Sequence, residues 1–275
     1  MYVIKRNGTL EKFDPQKIIR TCLRAGVDEK TAVEIEREVE DEIYNRISSE
    51  ELYKIVMQKL RRIERSHAYL YRLKEAVAEI QPFAFEKYTK IILESIGYDA
   101  TWNVIIQGKC VDHQVDVVAK KSGKMFLVEC KRHVNPHRFC GLGVGLQVQA
   151  RLEDIMDGYK SRVNNYKFDQ AWIFTNTKFS EHIIKYASAK RIILTGWNYP
   201  SGKGLQYLCQ KKQTLPVTLL PISSKVKAKL QEKDIITLMD FISSGKRKLM
   251  SAGLDAGRID SLRRTAAKIM LESEK

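Results

Sequence analysis

Asp112-His113-Gln-Val-Asp116-Val-Val-Ala-Lys-Lys121-Ser122-Gly123-Lys-Met125-Phe-Leu-Val-Glu129-Cys130-Lys131 is the stretch that decides how this chain reads. Two Val-rich apolar runs flank a Ser122-Gly123 turn, the signal of a β-hairpin. Side chains alternate along a strand, so Glu129 and Lys131 share one face and Cys130 takes the other. Asp116, on the preceding strand, is within reach of them. Two carboxylates and an amine then converge in a short apolar hairpin. Burying such charges is unfavourable unless they pair or hold a metal. Paired carboxylates suit a hard, oxygen-seeking cation such as Mg²⁺. A lysine beside that cation orients or deprotonates an attacking water. On these residues alone, a hairpin edge whose charges face water fits equally well.

The flanks add to the pattern. Gln81-Pro82 ends whatever helix precedes it. Phe83 to Gly97 then forms an amphipathic helix stopped by glycine and carrying Glu86. Tyr98 to Ile106 is a strand leading into the hairpin. Beyond Lys131 come Arg132-His133 and a loop with Asn135-Pro136-His137. Phe168-Asp-Gln-Ala-Trp172-Ile-Phe174-Thr175-Asn176-Thr-Lys-Phe179-Ser180 is a buried strand feeding a helix capped by Ser180, and Arg191 to Trp197 is a further strand. His113, His133 and His137 fit no familiar zinc spacing. Gly141, Gly143 and Gly145 lack the third position of a dinucleotide fingerprint and follow no strand of a βαβ unit, so they read as a hinge or close packing before a helix that opens with Gln147 and Gln149.

Together, Asp116, the Glu129-x-Lys131 pair, the Phe85-Glu86 pair on the first helix, and the Ile173-Phe-Thr-Asn-Thr, Phe179-Ser180, Tyr186-Ala187 and Ile192-Ile-Leu194 strings resemble the Mrr-like branch of the PD-(D/E)xK nucleases. The likeness covers about residues 83–200, although the family's proline is missing. It implies a restriction-endonuclease-like α/β sheet and hydrolysis of a DNA phosphodiester dependent on Mg²⁺ (or Mn²⁺). Asp116 and Glu129 would hold the metal with the Cys130 carbonyl, Lys131 would activate the water, and Glu86 would add a carboxylate. His133 would lie near phosphate or substrate.

The amino-terminal part has its own pattern. Asn7-Gly8 between two extended runs is a strong hairpin signal. Asp14-Pro15 starts a helix, with Ile18, Ile19, Cys22 and Leu23 at helical spacing. A second helix carries Val33, Ile35, Val39 and Ile43. Ser48-Ser-Glu-Glu51 reads as a capping box for a third helix, and a fourth passes through His67 to Arg72. Val3-x-Lys5-Arg6-Asn7-Gly8, Phe13-Asp14, Lys17-Ile18, Ile47-Ser48-Ser-Glu50 and Ala68-Tyr69-x-x-Arg72 resemble, in order, an ATP-cone, the nucleotide-sensing domain of ribonucleotide reductases and their repressor. That resemblance implies phosphate contacts by Lys5, Arg6 and Lys17, with lesser contacts from Val3, Glu11 and Ser48. The bound species would be ATP or dATP as an effector. No Walker A motif occurs, so hydrolysis of the nucleotide is not expected.

Leu215-Pro216 and Pro221 mark the join to a tail of short helices, expected at about Lys225–Leu230, Asp234–Ser243, Lys246–Met250 and Ala256–Leu271. A short helix, the Gly253 turn and a longer helix resemble half of a helix-hairpin-helix module, whose turn amides meet phosphate. Lys246, Arg247, Lys248, Arg258, Arg263 and Arg264 would add phosphate contacts.

The expectation is a multidomain α/β protein in three parts: residues 1–80 an ATP-cone of β-hairpin plus four helices, 81–212 a nuclease domain, and 213–275 a helical DNA-binding tail. Charge agrees with that division. The net charge of +15 divides into +1 over residues 1–80, +9 over 81–214 and +5 over 215–275, so the excess that attracts a polyanion lies outside the first part. Five cysteines with no C-x-x-C pair point away from a disulfide framework or zinc, and no apolar run approaches a membrane span. The protein is read as cytoplasmic, with double-stranded DNA and a nucleotide as partners and a homo-oligomer as its working form. Two rival readings remain: a nucleotide-responsive DNA-binding regulator with a disabled nuclease fold, and a structure-specific (junction) nuclease.

Overall fold

The computed structural model of the chain describes residues 1–274. By contacts it divides into two compact units, one of Met1–Leu73 with the segment from Asp260 onward, the other of Lys74–Ile259. The contacts do not set residues 213–275 apart as a body. Residues 213–259 group with the central region, and those from Asp260 on group with the amino-terminal unit. Among the described residues no helix is long and apolar enough to cross a membrane.

The first unit opens with strands β1 (Tyr2–Ile4) and β2 (Leu10–Lys12), joined through Gly8 at φ +82°. Helices α1 (Pro15–Arg24) and α2 (Glu29–Glu42) follow, capped by the side chains of Asp14 and Asp28. A two-residue strand β3 (Ile47–Ser48) pairs parallel with β1, giving a three-stranded sheet in the order β2-β1-β3 rather than a lone hairpin. Helices α3 (Ser49–Ile63) and α4 (Arg65–Tyr71) complete the amino-terminal run. The expected capping box at Ser48 is only half formed. Ser48 Oγ accepts the Glu51 N–H at 3.0 Å, but the Glu51 carboxylate accepts from the Tyr44 hydroxyl at 2.9 Å instead of reaching back. An aromatic donor nearby outcompetes the local backbone. Leu262, Ala266, Ile269 and Met270 are buried at helical spacing on the last helix, and Lys268 pairs with Glu64 at 2.7 Å. Gly26, at φ +83°, lies where a Cβ would come within 2.6 Å of the Glu272 carbonyl oxygen, so a side chain there would push that helix away.

The second unit holds α5 (Leu73–Ala78), α6 (Pro82–Ser95), β4 (Asp99–Gln107), β5 (Asp112–Lys121), β6 (Lys124–Lys131), β7 (Phe139–Cys140), α7 (Leu142–Lys160), β8 (Gln170–Thr175), β9 (Lys178–Phe179), α8 (Glu181–Lys190) and β10 (Ile193–Thr195). The main sheet runs β10-β8-β6-β5-β4. β4, β5 and β6 form an antiparallel meander, while β6, β8 and β10 are parallel, because the α7 and α8 crossovers return the chain in the same direction. α6 packs on β4, β5 and β6. On the opposite face Val118, Leu127 and Ile173 bury against Val148 and Ile155 of α7 and Ile183 of α8. Successive residues of each strand therefore serve alternate layers, and both faces are covered.

Among the described residues, five α-helices and a short 3-10 turn (Val217–Leu219) follow: α9 (Leu205–Lys211), α10 (Ser224–Glu232), α11 (Leu238–Ser243), α12 (Lys246–Ser251) and α13 (Ala256–Glu274). Tyr88 of α6 donates to the Thr214 carbonyl at 2.7 Å, and Thr218 to the Ala76 carbonyl at 2.6 Å, tying this region to α5 and α6. Helix α11 begins at Leu238, four residues later than expected. Asp234 has φ +57°, and a full capping box between Thr237 and Asp240 fixes the start.

Candidate active site

Asp116, Glu129 and Lys131 meet where the sheet comes apart. The β5–β6 ladder runs from Lys121↔Lys124 only to Val117↔Val128. The β4–β5 ladder skips the Asn103–Asp116 pair, and Asn103 has φ +54°. Asp116 therefore sits at a break on both sides. Its carboxylate Oδ2 accepts the Cys130 backbone N–H at 2.7 Å, in place of a strand carbonyl. β6 meanwhile continues along β8 as far as Lys131↔Thr175. One strand thus keeps its partner on one edge while opening a gap on the other.

Alternation places the three consecutive residues of β6 as expected. Glu129 meets α7, where its carboxylate is ion-paired with Arg151. Cys130 faces α6, its thiol held by Thr89 and pushed well up in pKa by burial. Lys131 is exposed. Glu86 projects from α6 and completes a group of three acids. Burial, and then the charges of Asp116 and Glu129, raise the Glu86 pKa to about 7. Burial and the Glu129 charge lift Asp116 to about 6, against the lowering effects of the Cys130 N–H, Arg151 and Lys131.

Glu86 and Asp116, each raised in part by a neighbouring acid's charge, lie where a counter-cation is favoured. Their hard oxygens and summed negative charge fit a divalent ion such as Mg²⁺. Among the described residues no three His, Cys, Asp or Glu side chains stand together closely enough to hold a metal ion. Arg151 draws Glu129 toward α7, and the Cys130 amide holds Asp116.

The strand β8 string explains how Lys131 is held. Thr175 Oγ1 donates to the Lys131 carbonyl at 2.7 Å. Asn176, fully buried, clasps His133 from both sides: it accepts the His133 N–H and donates to the His133 carbonyl, each at 2.8 Å. His133 follows two residues after Lys131, and its pKa is lowered by burial, then by Lys131, Arg138 and Arg132. His113 lies elsewhere in a purely structural role. Its Nε2 and the amides of Cys110 and Val111 all bond Asp154, at 2.8, 2.9 and 3.3 Å. Gln147 is exposed and Gln149 Nε2 donates to Glu153 at 2.7 Å, whereas Arg151 of the same helix touches the acids. The sequence reading passed over Arg151. A cation one helical turn beyond Gln147 is the signal that would have found it.

In the first unit, Val3 lies opposite Glu11 in the β1–β2 register, and Ile4 opposite Ser48. Glu11 bridges Lys5 and Lys17, the latter at 2.6 Å. Those two ammonium groups hold its pKa down to about 2. Arg6, beside Lys5, is exposed. Tyr53, Lys54, Met57, Gln58, Arg61 and Arg72 line a separate hollow in this unit, which the sequence reading did not anticipate.

Comparison with known proteins finds a family match within each unit. Residues 1–75 match the ATP cone domain and residues 77–198 match the Mrr_cat restriction endonuclease domain. An uncharacterized protein of Archaeoglobus fulgidus is 37% identical over 179 residues, 65% of this chain and 98% of that one.

The chain belongs to the Mrr-type restriction endonuclease family, with an ATP-cone ahead of the nuclease domain.

A second uncharacterized protein of the same organism is 51% identical over 37 residues, 14% of this chain and 79% of that one. The crystal structure of the protein of unknown function AF1548 superposes with a TM-score of 0.58 at 35% identity, covering 68% of this chain and 98% of that chain. The Mrr-type domain contains the Glu86, Asp116, Glu129, Lys131 and Arg151 cluster, and the ATP-cone contains Lys5, Arg6, Glu11, Lys17 and Ser48.

Proposed function

We propose that this protein is a Mg²⁺-dependent DNA endonuclease whose activity responds to ATP or dATP bound by the ATP-cone. The observation that carries the reading is the meeting of Glu86, Asp116 and Glu129 from three different elements beside the exposed Lys131. Asp116 and Glu129 would hold the metal, with Glu86 and the Cys130 carbonyl as further oxygen donors. The metal supplies Lewis-acid activation of water and neutralises charge on the phosphate. The chain's own part is positional and electrostatic. The Asp116–Cys130 bond and the Thr175 and Asn176 clasps fix the acids and Lys131 relative to one another. Lys131 offers its ammonium to the scissile phosphate and to the water that attacks it.

Double-stranded DNA is the substrate that the family and the basic middle and tail support. The helix α12, the Gly253 turn at φ +96° and helix α13 would add phosphate contacts without reading sequence. Of the cations expected there, Lys246, Arg247, Lys248 and Arg258 fall in the second unit, and Arg263 and Arg264 in the first. On the effector side, Lys5, Arg6 and Lys17 would clamp the phosphates and a change of oligomeric state would pass the signal on. The test is cleavage of plasmid and branched DNA in Mg²⁺, with sedimentation, each with and without ATP or dATP. A nucleotide-dependent change in both, lost in Lys5→Ala and Arg6→Ala, is the expected result. Nucleotide without effect on either contradicts the regulatory part.

A further inference from the structure

Arg151 pairs directly with Glu129 and has no task in the reaction as described. It stands in the third turn of α7, and its guanidinium is ion-paired with Glu129. Glu129 is 15% exposed and Arg151 26%, so this pair is shielded and not a loose surface contact. The same guanidinium also acts on Asp116, where its charge favours the ionised acid. An arginine stays charged under all working conditions and neutralises a carboxylate with a planar fork. A divalent ion held by Asp116 and Glu129 competes with the guanidinium for the Glu129 carboxylate and repels it. The two occupants therefore disfavour each other at Glu129.

We infer that Arg151 is a metal-exchanged positioning residue: it occupies Glu129 while the acids lack a cation, and metal uptake releases it to a DNA phosphate beside Lys131. This deepens the nuclease reading and rests on it. Linkage makes the consequence two-sided. Arg151 weakens metal binding when DNA is absent, and metal creates a phosphate contact that does not exist without it. The site would then stay largely cation-free until DNA offers the arginine an alternative partner.

The test uses the full chain. Free Mn²⁺ is followed by electron paramagnetic resonance during titration of wild type, Arg151→Met, Arg151→Lys and Asp116→Asn. Duplex binding is followed by fluorescence anisotropy in Ca²⁺ and in EDTA. The expected results are Mn²⁺ affinity about fivefold or more tighter for Arg151→Met, near wild type for Arg151→Lys, and lost in Asp116→Asn. DNA affinity of Arg151→Met should fall about tenfold in Ca²⁺ and stay unchanged in EDTA. Thermal melting of Arg151→Lys, which keeps the charge, separates these effects from misfolding. Unchanged or weaker Mn²⁺ binding by Arg151→Met overturns the competition. Equal loss of DNA affinity with and without Ca²⁺ overturns the release to phosphate. Absence of Mn²⁺ uptake by both wild type and Arg151→Met instead removes the nuclease reading beneath both.

Discussion

The Asp116 carboxylate accepts the backbone N–H of Cys130 at 2.7 Å, across the point where β5 stops pairing with β6. An acid of the candidate site here also closes a gap in the sheet. The same bond that satisfies an interrupted ladder sets the acid beside Glu129 and Lys131. Fold and site are joined at one atom, and substitutions there separate the two roles.

Asp116→Asn retains an oxygen acceptor for Cys130, while Asp116→Ala leaves that amide without a partner. Both remove the same charge, so relief of repulsion among the acids cancels in the comparison. The alanine variant should be less stable than the asparagine variant by about 1–3 kcal/mol in urea denaturation, and both should fail to cut. Equal stability would mean that the bond does not support the sheet.

Asn176 spans the His133 backbone with two hydrogen bonds and is fully buried. Asn176→Ala should lower stability by about 2 kcal/mol or more and reduce cleavage through displacement of Lys131, with the proposed metal ligands Asp116 and Glu129 untouched. Mn²⁺ binding should therefore persist in this variant, which distinguishes it from Asp116→Asn.

Gly158 of α7 lies against the turn between β4 and β5. A Cβ there would meet the Gly108 carbonyl carbon at 2.9 Å, the Lys109 nitrogen at 3.0 Å and the Asn164 side-chain nitrogen at 2.7 Å. Backbone cannot yield as a flexible side chain does. Gly158→Ala should cost about 1–3 kcal/mol by overpacking, measured by thermal or urea unfolding. The amides of Cys110 and Val111, which bond Asp154, should exchange hydrogen faster in the same variant.

In the ATP-cone, Glu11 titrates near 2 because Lys17 and Lys5 hold it ionised, against an ordinary value of 4.5. A depressed folded-state pKa stabilises above the ordinary value, and that contribution fades as pH falls through about 2. Wild type should therefore lose local stability in this hairpin between pH 4.5 and 2, and Glu11→Gln should lack this part of the acid response. Amide resonances of Gly8 and Thr9, followed against pH, report it. The carboxylate is 39% exposed, so solvent screening keeps the effect small.

Much of this was legible in residue order. Asn7-Gly8, Ser122-Gly123 and Gln81-Pro82 mark turns and breaks by backbone chemistry that needs no tertiary context. The period-2 pattern from Met125 to Lys131 told which face Glu129 and Cys130 take. Features that arise from distant partners were not legible. β3 is two residues long and exists because β1 offers it an edge. Glu51 abandons its capping box for Tyr44, seven positions away. Arg151 carries no mark beyond its place on a helix, and its meaning comes from Glu129, twenty-two positions earlier. The tail shows the same limit. Its helices were visible, but their grouping with two different units depends on long-range packing that periodicity does not encode.

Cleavage by wild type, Asp116→Asn and Lys131→Ala tests the central claim most directly. Supercoiled, methylated and branched DNA are incubated with each protein in Mg²⁺ and in EDTA, with and without ATP. The account predicts Mg²⁺-dependent cutting of at least one substrate by wild type, reduced about a hundredfold or more in each variant. Cutting that survives Asp116→Asn would contradict the site. Absence of cutting on every substrate, with DNA binding intact and nucleotide-dependent, would instead identify a regulator built on a silent nuclease fold.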